Sequence, residues 1–115
     1  MYKVTKANEA YTYEAPGHFD VRTTRLHDPE DVDGQVTMGL SHFLPGGGCE
    51  MAKAPKELIY YIIKGEMTVT TEEGAEILLQ KGDSIHIGVG QGRAIRNTGI
   101  ASAQMLVVLC PPKAE

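Results

Sequence analysis

The sequence predicts an all-β domain, and three observations carry that prediction. From Gln35 onward, apolar and polar residues form short runs broken by turn residues every ~8 to 12 positions, the spacing of a β-sandwich or barrel. No stretch places apolar residues at helical intervals to compete with that reading. The chain has 115 residues, enough for one buried core, and it carries no internal repeat.

Each predicted strand has its own signal. Val36, Met38, Leu40, His42 and Leu44 share one strand face, read as the inward one, and the strand is expected to stop at Pro45 and the glycines that follow. Leu58 to Ile63 is apolar on both faces, as a central strand should be. Met67 to Thr71 alternates, Glu72-Glu73-Gly74 turns, and Ile77-Leu78-Leu79 returns toward Lys81-Gly82-Asp83. Ser84 to Val89, Ala94 to Asn97 and Ala103 to Leu109 supply the last three strands, before Pro111-Pro112 ends the domain. Residues 1–34 are less regular and show one plausible strand, around Val21 to Leu26. They are expected to form an arm that packs on the barrel of residues 35–112 or on a dimer partner.

Composition excludes several partners. A formal charge of −4 gives no electrostatic reason to expect nucleic acid or an anionic membrane surface. The acidic run Asp28-Pro29-Glu30-Asp31-Val32-Asp33-Gly34 contains turn residues and reads as a solvated loop. Neither a signal-peptide core nor a run of ~18 apolar residues is present, so a cytoplasmic protein is expected. Cys49 and Cys110 are far apart and outside any Cys-x-x-Cys arrangement, which predicts reduced thiols.

Two blocks carry a family resemblance. The first runs from Pro45-Gly46-Gly47-Gly48-Cys49-Glu50-Met51 to Tyr60-Tyr61-Ile62-Ile63-Lys64-Gly65, and the second from Gly82 to Asn97 with Gly88, Gly90 and Arg93 between. They resemble the two cupin motifs, Gly-x5-His-x-His-x3,4-Glu-x6-Gly and Gly-x5-Pro-x-Gly-x2-His-x3-Asn. The resemblance implies a small single-domain cupin, a jelly-roll barrel built as a double-stranded β-helix. In cupins of this kind three histidines and a glutamate converge on a metal inside the barrel. Here the four ligand positions hold Met51, Lys53, Leu58 and Arg93, and Gly88 replaces the motif proline. Two fixed cations repel a divalent metal, so the aligned site is expected to lack one. A slip of one residue would bring Glu57 inward in place of Leu58.

The same replacements predict a site for an anion. Arg93 could hold a carboxylate or enolate in a two-bond fork, and Lys53 could serve as acid, base or amine nucleophile. Tyr60 shares strand parity with Leu58 and could donate a proton. His42, on the face read as inward, is the general-base candidate. Met51, Leu58, Ile62, Glu57 and His86 complete the expected substrate-binding set. His18 and His27 belong to the arm and are expected on the surface. The resemblance further implies a homodimer, and Ile59, Tyr61 and Ile63, facing out from an inward Leu58 and Tyr60, need cover of their own.

Three functions follow as expectations. The first is a metal-independent isomerase, epimerase, dehydratase or lyase acting on a small carboxylate, keto acid or sugar-derived substrate. The second is a binding or regulatory module that keeps the pocket without catalysis. The third is a metal centre of unusual composition, built from His42, His86 and Glu57 or Glu50.

Overall fold

The computed structural model describes residues 1–112 and contains nine strands with two short 3-10 turns, Ala7–Glu9 and Pro29–Val32. The strands are β1 (Tyr11–Tyr13), β2 (His18–His27), β3 (Thr37–Lys53), β4 (Glu57–Lys64), β5 (Glu66–Thr71), β6 (Glu76–Gln80), β7 (Ser84–Ile87), β8 (Gly92–Arg96) and β9 (Ala103–Cys110). All pairings are antiparallel, in the order β6-β5-β8-β3-β9-β4-β7, with β2 on β3 and β1 on β2. Bonds between Ile62 and the Gly82-Asp83 turn help roll this sheet into a nearly closed jelly-roll barrel. Among the described residues no helix is long and apolar enough to cross a membrane.

The longest strand corrects the expectation that Pro45 ends it. β3 runs through Pro45 and the glycines, and its two halves serve different partners. Residues 37–43 pair with β9, whereas Gly48 to Lys53 pair with β8. The glycines make this crossing possible by close approach. A Cβ on Gly48 would overlap the Ile95 carbonyl, so any side chain there must push β3 off β8. Gly65 closes the first block for a related reason. Its φ is +80°, and a Cβ would come within 2.9 Å of the Ala103 Cα.

Strand parity fixes what faces inward. In the first half of β3 the buried residues are Thr37, Gly39, Ser41 and Phe43, while Met38, Leu40 and His42 are half-buried on the outer face and Leu44 is exposed. The expected inward stripe is therefore the outer one. Apolar content misleads here because Thr37, Gly39 and Ser41 on the interior face of β3 are small and leave room for a cavity. On β4, Leu58, Tyr60 and Ile62 are buried and Glu57, Ile59, Tyr61 and Ile63 are exposed. The core joins these to Phe43, Met67, Val69, Ile95 and Met105.

The N-terminal segment is more ordered than its sequence suggests. β2 spans ten residues and pairs with β3 along both of its halves. A bulge interrupts the ladder between Phe19 and Val21, where Asp20 takes a left-handed φ of +50°.

Candidate functional site

A cavity of about 460 Å³ occupies the barrel between β2, β3, β4, β8 and β9. Its size is that of a small-molecule site. Phe43, Leu58, Ile95, Met105 and Val107 give it an apolar wall, and its basic lining comprises His18, Arg25, Lys53, Lys56 and Arg93. Among the described residues no aspartate or glutamate lines it.

Arg93 is the centre of this arrangement. β8 pairs Arg93 with Ala52 of β3, and the side chain turns into the barrel, 8% exposed. Its Nε donates to the Tyr60 Oη at 3.1 Å, and Nη1 donates to the Ala52 carbonyl at 3.1 Å. Among the described residues the remaining guanidinium donors meet no carboxylate. Among the described residues the ion pairs are Lys3–Asp31, Arg25–Asp28 and His86–Glu57, all elsewhere. A buried cation without a counter-charge costs several kcal/mol, which an anion in the cavity would offset.

Tyr60 accepts from Arg93, so its own hydroxyl hydrogen is left to donate. Burial pushes its pKa above the usual phenol value, opposed by the Arg93 charge, and the phenol stays neutral. Cys49 lines the same cavity, and burial likewise raises its thiol against the opposing pull of Arg93. A neutral thiol is a poor nucleophile. Arg25, by contrast, is already satisfied, bonded to Asp28 at 2.8 Å and stacked 4.5 Å over the Tyr13 ring.

The aligned metal positions do not form a ligand set. Leu58, Lys53 and Arg93 line the cavity, whereas Met51 lies outside it, along a groove of about 510 Å³ on the outer face of β3, β5 and β8. An isobutyl group and two cations around one cavity cannot hold a divalent metal, and the usual cupin centre does not fit these residues.

Several other expected site residues lie elsewhere. His42 is on the outer face of β3, its register partners being Arg22 and Gln104, and its buried Nδ1 lacks a partner. Ile62 is in the core and does not line the cavity. Glu57 and His86 form an exposed pair at 2.5 Å across β4 and β7, on the outer face. With His42 opposite Gln104 and His86 opposite Ile59, these three groups sit on different rows of the sheet. The alternative metal centre is not assembled, and among the described residues no three His, Cys, Asp or Glu side chains form a metal-holding group. Leu58, Tyr60, Lys53 and Arg93 line one cavity.

Sequence reasoning missed His18. It lines the cavity, with Nδ1 2.9 Å from the Pro16 carbonyl. Its only sequence signal was the neighbouring Pro16-Gly17 turn, which the irregular character of the arm concealed.

The barrel and its motif glycines are those of a cupin. Residues 39–109 match the family described as "Cupin domain", and the chain belongs to it. Over 114 residues the chain is 39% identical to a β-D-galactosidase of Mycobacterium tuberculosis, covering 98% of this chain and 97% of that one. A predicted oxalate decarboxylase from Thermotoga maritima superposes with a TM-score of 0.80 at 20% identity, over 96% of this chain and 100% of the other. The polyketide cyclase RemF from Streptomyces resistomycificus does so with 0.82 at 18% identity, over 100% and 83%.

Proposed function

We propose that this cupin is an enzyme that acts on a small carboxylate, keto acid or sugar-derived substrate in the barrel cavity, without the family's usual metal. The observation that carries this reading is the buried Arg93 guanidinium, bonded to Tyr60 and the Ala52 carbonyl, in a cavity with no acidic lining. Arg93 would hold the anionic group of the substrate, and its charge would stabilise an enolate-like intermediate. Tyr60, neutral and with a free hydroxyl hydrogen, would deliver a proton to the developing oxyanion or leaving group. Lys53, exposed at the mouth, would draw the anion inward. The outer face of β4, with Ile59, Tyr61 and Ile63 exposed, fits a second copy of this chain.

A thermal-shift panel of keto acids, hydroxy acids and sugar acids tests the reading. Stabilising acids should lose their effect in Arg93→Met, while neutral sugars of the same size shift neither protein. Equal shifts in both proteins would overturn it.

A second reading is favoured by the full-length similarity to the mycobacterial β-D-galactosidase. Glycoside hydrolysis ordinarily uses two carboxyl groups, which this cavity does not offer, so cleavage here would have to rest on Tyr60 as the acid. Release of p-nitrophenol from p-nitrophenyl β-D-galactopyranoside, lost in Tyr60→Phe and Arg93→Met, would support that reading. Absence of release by the wild type would remove it.

A further inference from the structure

We infer that the bulge at Asp20 delivers His18 into the barrel cavity as its proton-accepting residue, acting through Nε2 on a hydrogen of the bound substrate. The inference rests on the anion-binding reading of the cavity. Along β2, Thr23 and Arg25 line the cavity and Val21 packs on the core, so unbroken alternation would turn Phe19 inward and His18 away. The ladder instead passes from His18 opposite Cys49 and Phe19 opposite Gly48 to Val21 opposite Phe43. Between these pairs Asp20 alone stands against residues 44–47 of β3, held at φ +50°, a conformation uncommon for a residue with a side chain. The left-handed turn of the backbone at this break reverses the parity of β2. His18 thereby joins Thr23 and Arg25 on the cavity wall, and Phe19 goes outward, where Arg96 lies 5.4 Å over its ring.

The local backbone also selects the tautomer. Nδ1 lies 2.9 Å from the Pro16 carbonyl, which can only accept, so Nδ1 carries the hydrogen and Nε2 keeps its lone pair. Pro16 and Gly17, the latter at φ +71°, shape the turn that brings this carbonyl back onto the ring. The charged or titratable groups around His18 are Tyr13, Arg25, Lys53, Lys56, Arg93, Tyr60 and Cys49 across the cavity, and Glu14 and Asp20 on its outer side.

The step is a proton transfer. Nε2 takes a hydrogen as a proton from the carbon beside a carbonyl, and the C–H electron pair becomes the enolate π bond. The carbonyl π pair moves onto oxygen, where Arg93 and the Tyr60 hydroxyl meet the charge. Return of a proton from His18 Nε2 to carbon restores the base and closes the cycle. No oxidant or metal is required.

Pyruvate is the simplest probe, because it combines a carboxylate, a carbonyl and acidic C–H bonds. Two measurements on the full chain decide the matter. Nitrogen NMR of histidine-labelled protein, with His18 assigned by His18→Gln, should show hydrogen on Nδ1; hydrogen on Nε2 would overturn the proposal. In heavy water the wild type should speed deuterium exchange into the pyruvate methyl group, and His18→Gln should reduce the rate at least about 100-fold with pyruvate affinity unchanged. Bound pyruvate without exchange, or exchange preserved in His18→Gln, would overturn the role of His18. Failure of pyruvate to bind at all would sink the anion-site reading itself.

Discussion

Along β4, Leu58, Tyr60 and Ile62 are at most 3% exposed, whereas Ile59, Tyr61 and Ile63 are 37–44% exposed, although the two sets are nearly the same in composition. Each face holds one tyrosine and two aliphatic residues. What separates them is surroundings. The inner tyrosine meets a buried guanidinium and a cavity, and the outer one meets Leu106 of β9 and Ser84 of β7 across the sheet. Function in this barrel follows from which face the ladder turns inward, and a few glycines and one bulge decide that.

The largest expected contrast is in stability. Ile62→Ala should cost about 2–5 kcal/mol by urea denaturation, because the residue is fully buried and its cavity cannot refill. Ile59→Ser, one strand face away, should change the stability of the dilute single chain by only about 0.5 kcal/mol. A double variant, Ile59→Ser with Tyr61→Ser, should lower the apparent mass in sedimentation if the outer face joins two copies; an unchanged mass would leave the inner face as the only one with a partner.

Arg93→Met should separate binding from folding. The variant loses the affinity of the cavity for small acids by at least about tenfold, since a charge-assisted fork is worth roughly 1.5–3 kcal/mol. Its stability should be unchanged or higher, because an unpaired buried cation is replaced by a thioether. A large stability loss would mean that Arg93 is structural.

Alkaline pH should act through the inner face. Burial raises the Tyr60 pKa, so the folded chain prefers the neutral phenol more strongly than the unfolded chain does. That contribution is complete below the ordinary tyrosine value, about 10, and is lost as pH rises through the higher folded value. Urea midpoints between neutral pH and about pH 11 should therefore fall more steeply for wild type than for Tyr60→Phe. The phenylalanine variant starts about 1 kcal/mol lower, with the Arg93 Nε unbonded.

The smallest expected effect is that of metals. Dialysis against iron, manganese, nickel and zinc should leave the melting temperature of wild type unmoved, because Lys53, Leu58 and Arg93 stand where a cupin would place ligands. Stoichiometric metal by elemental analysis would contradict this.

Much of the barrel was legible because turns and glycines have local causes. Gly65, Asn97 and the alternation of Met67 to Thr71 mark their places in sequence, and Asn97 is seen to bond the Phe43 and Ala101 carbonyls while accepting from Gly99. Arg93, Tyr60, Leu58 and Lys53 followed from that frame. His42 did not, since the more apolar face of β3 is the outer one, and periodicity cannot say which face a cavity will occupy. The place of Met51 was lost at the register shift between Cys49 and Ala52, and that of His18 at the bulge of Asp20. Both depend on cross-strand bonds between residues far apart in the chain, which local pattern does not encode.

The central claim is that the barrel cavity holds an anion on Arg93. Isothermal titration calorimetry of pyruvate into wild type and Arg93→Met tests it most directly. Saturable binding by wild type, weakened at least about tenfold in the variant, is the predicted result. Equal affinity in the two proteins, or no heat in either, would contradict it.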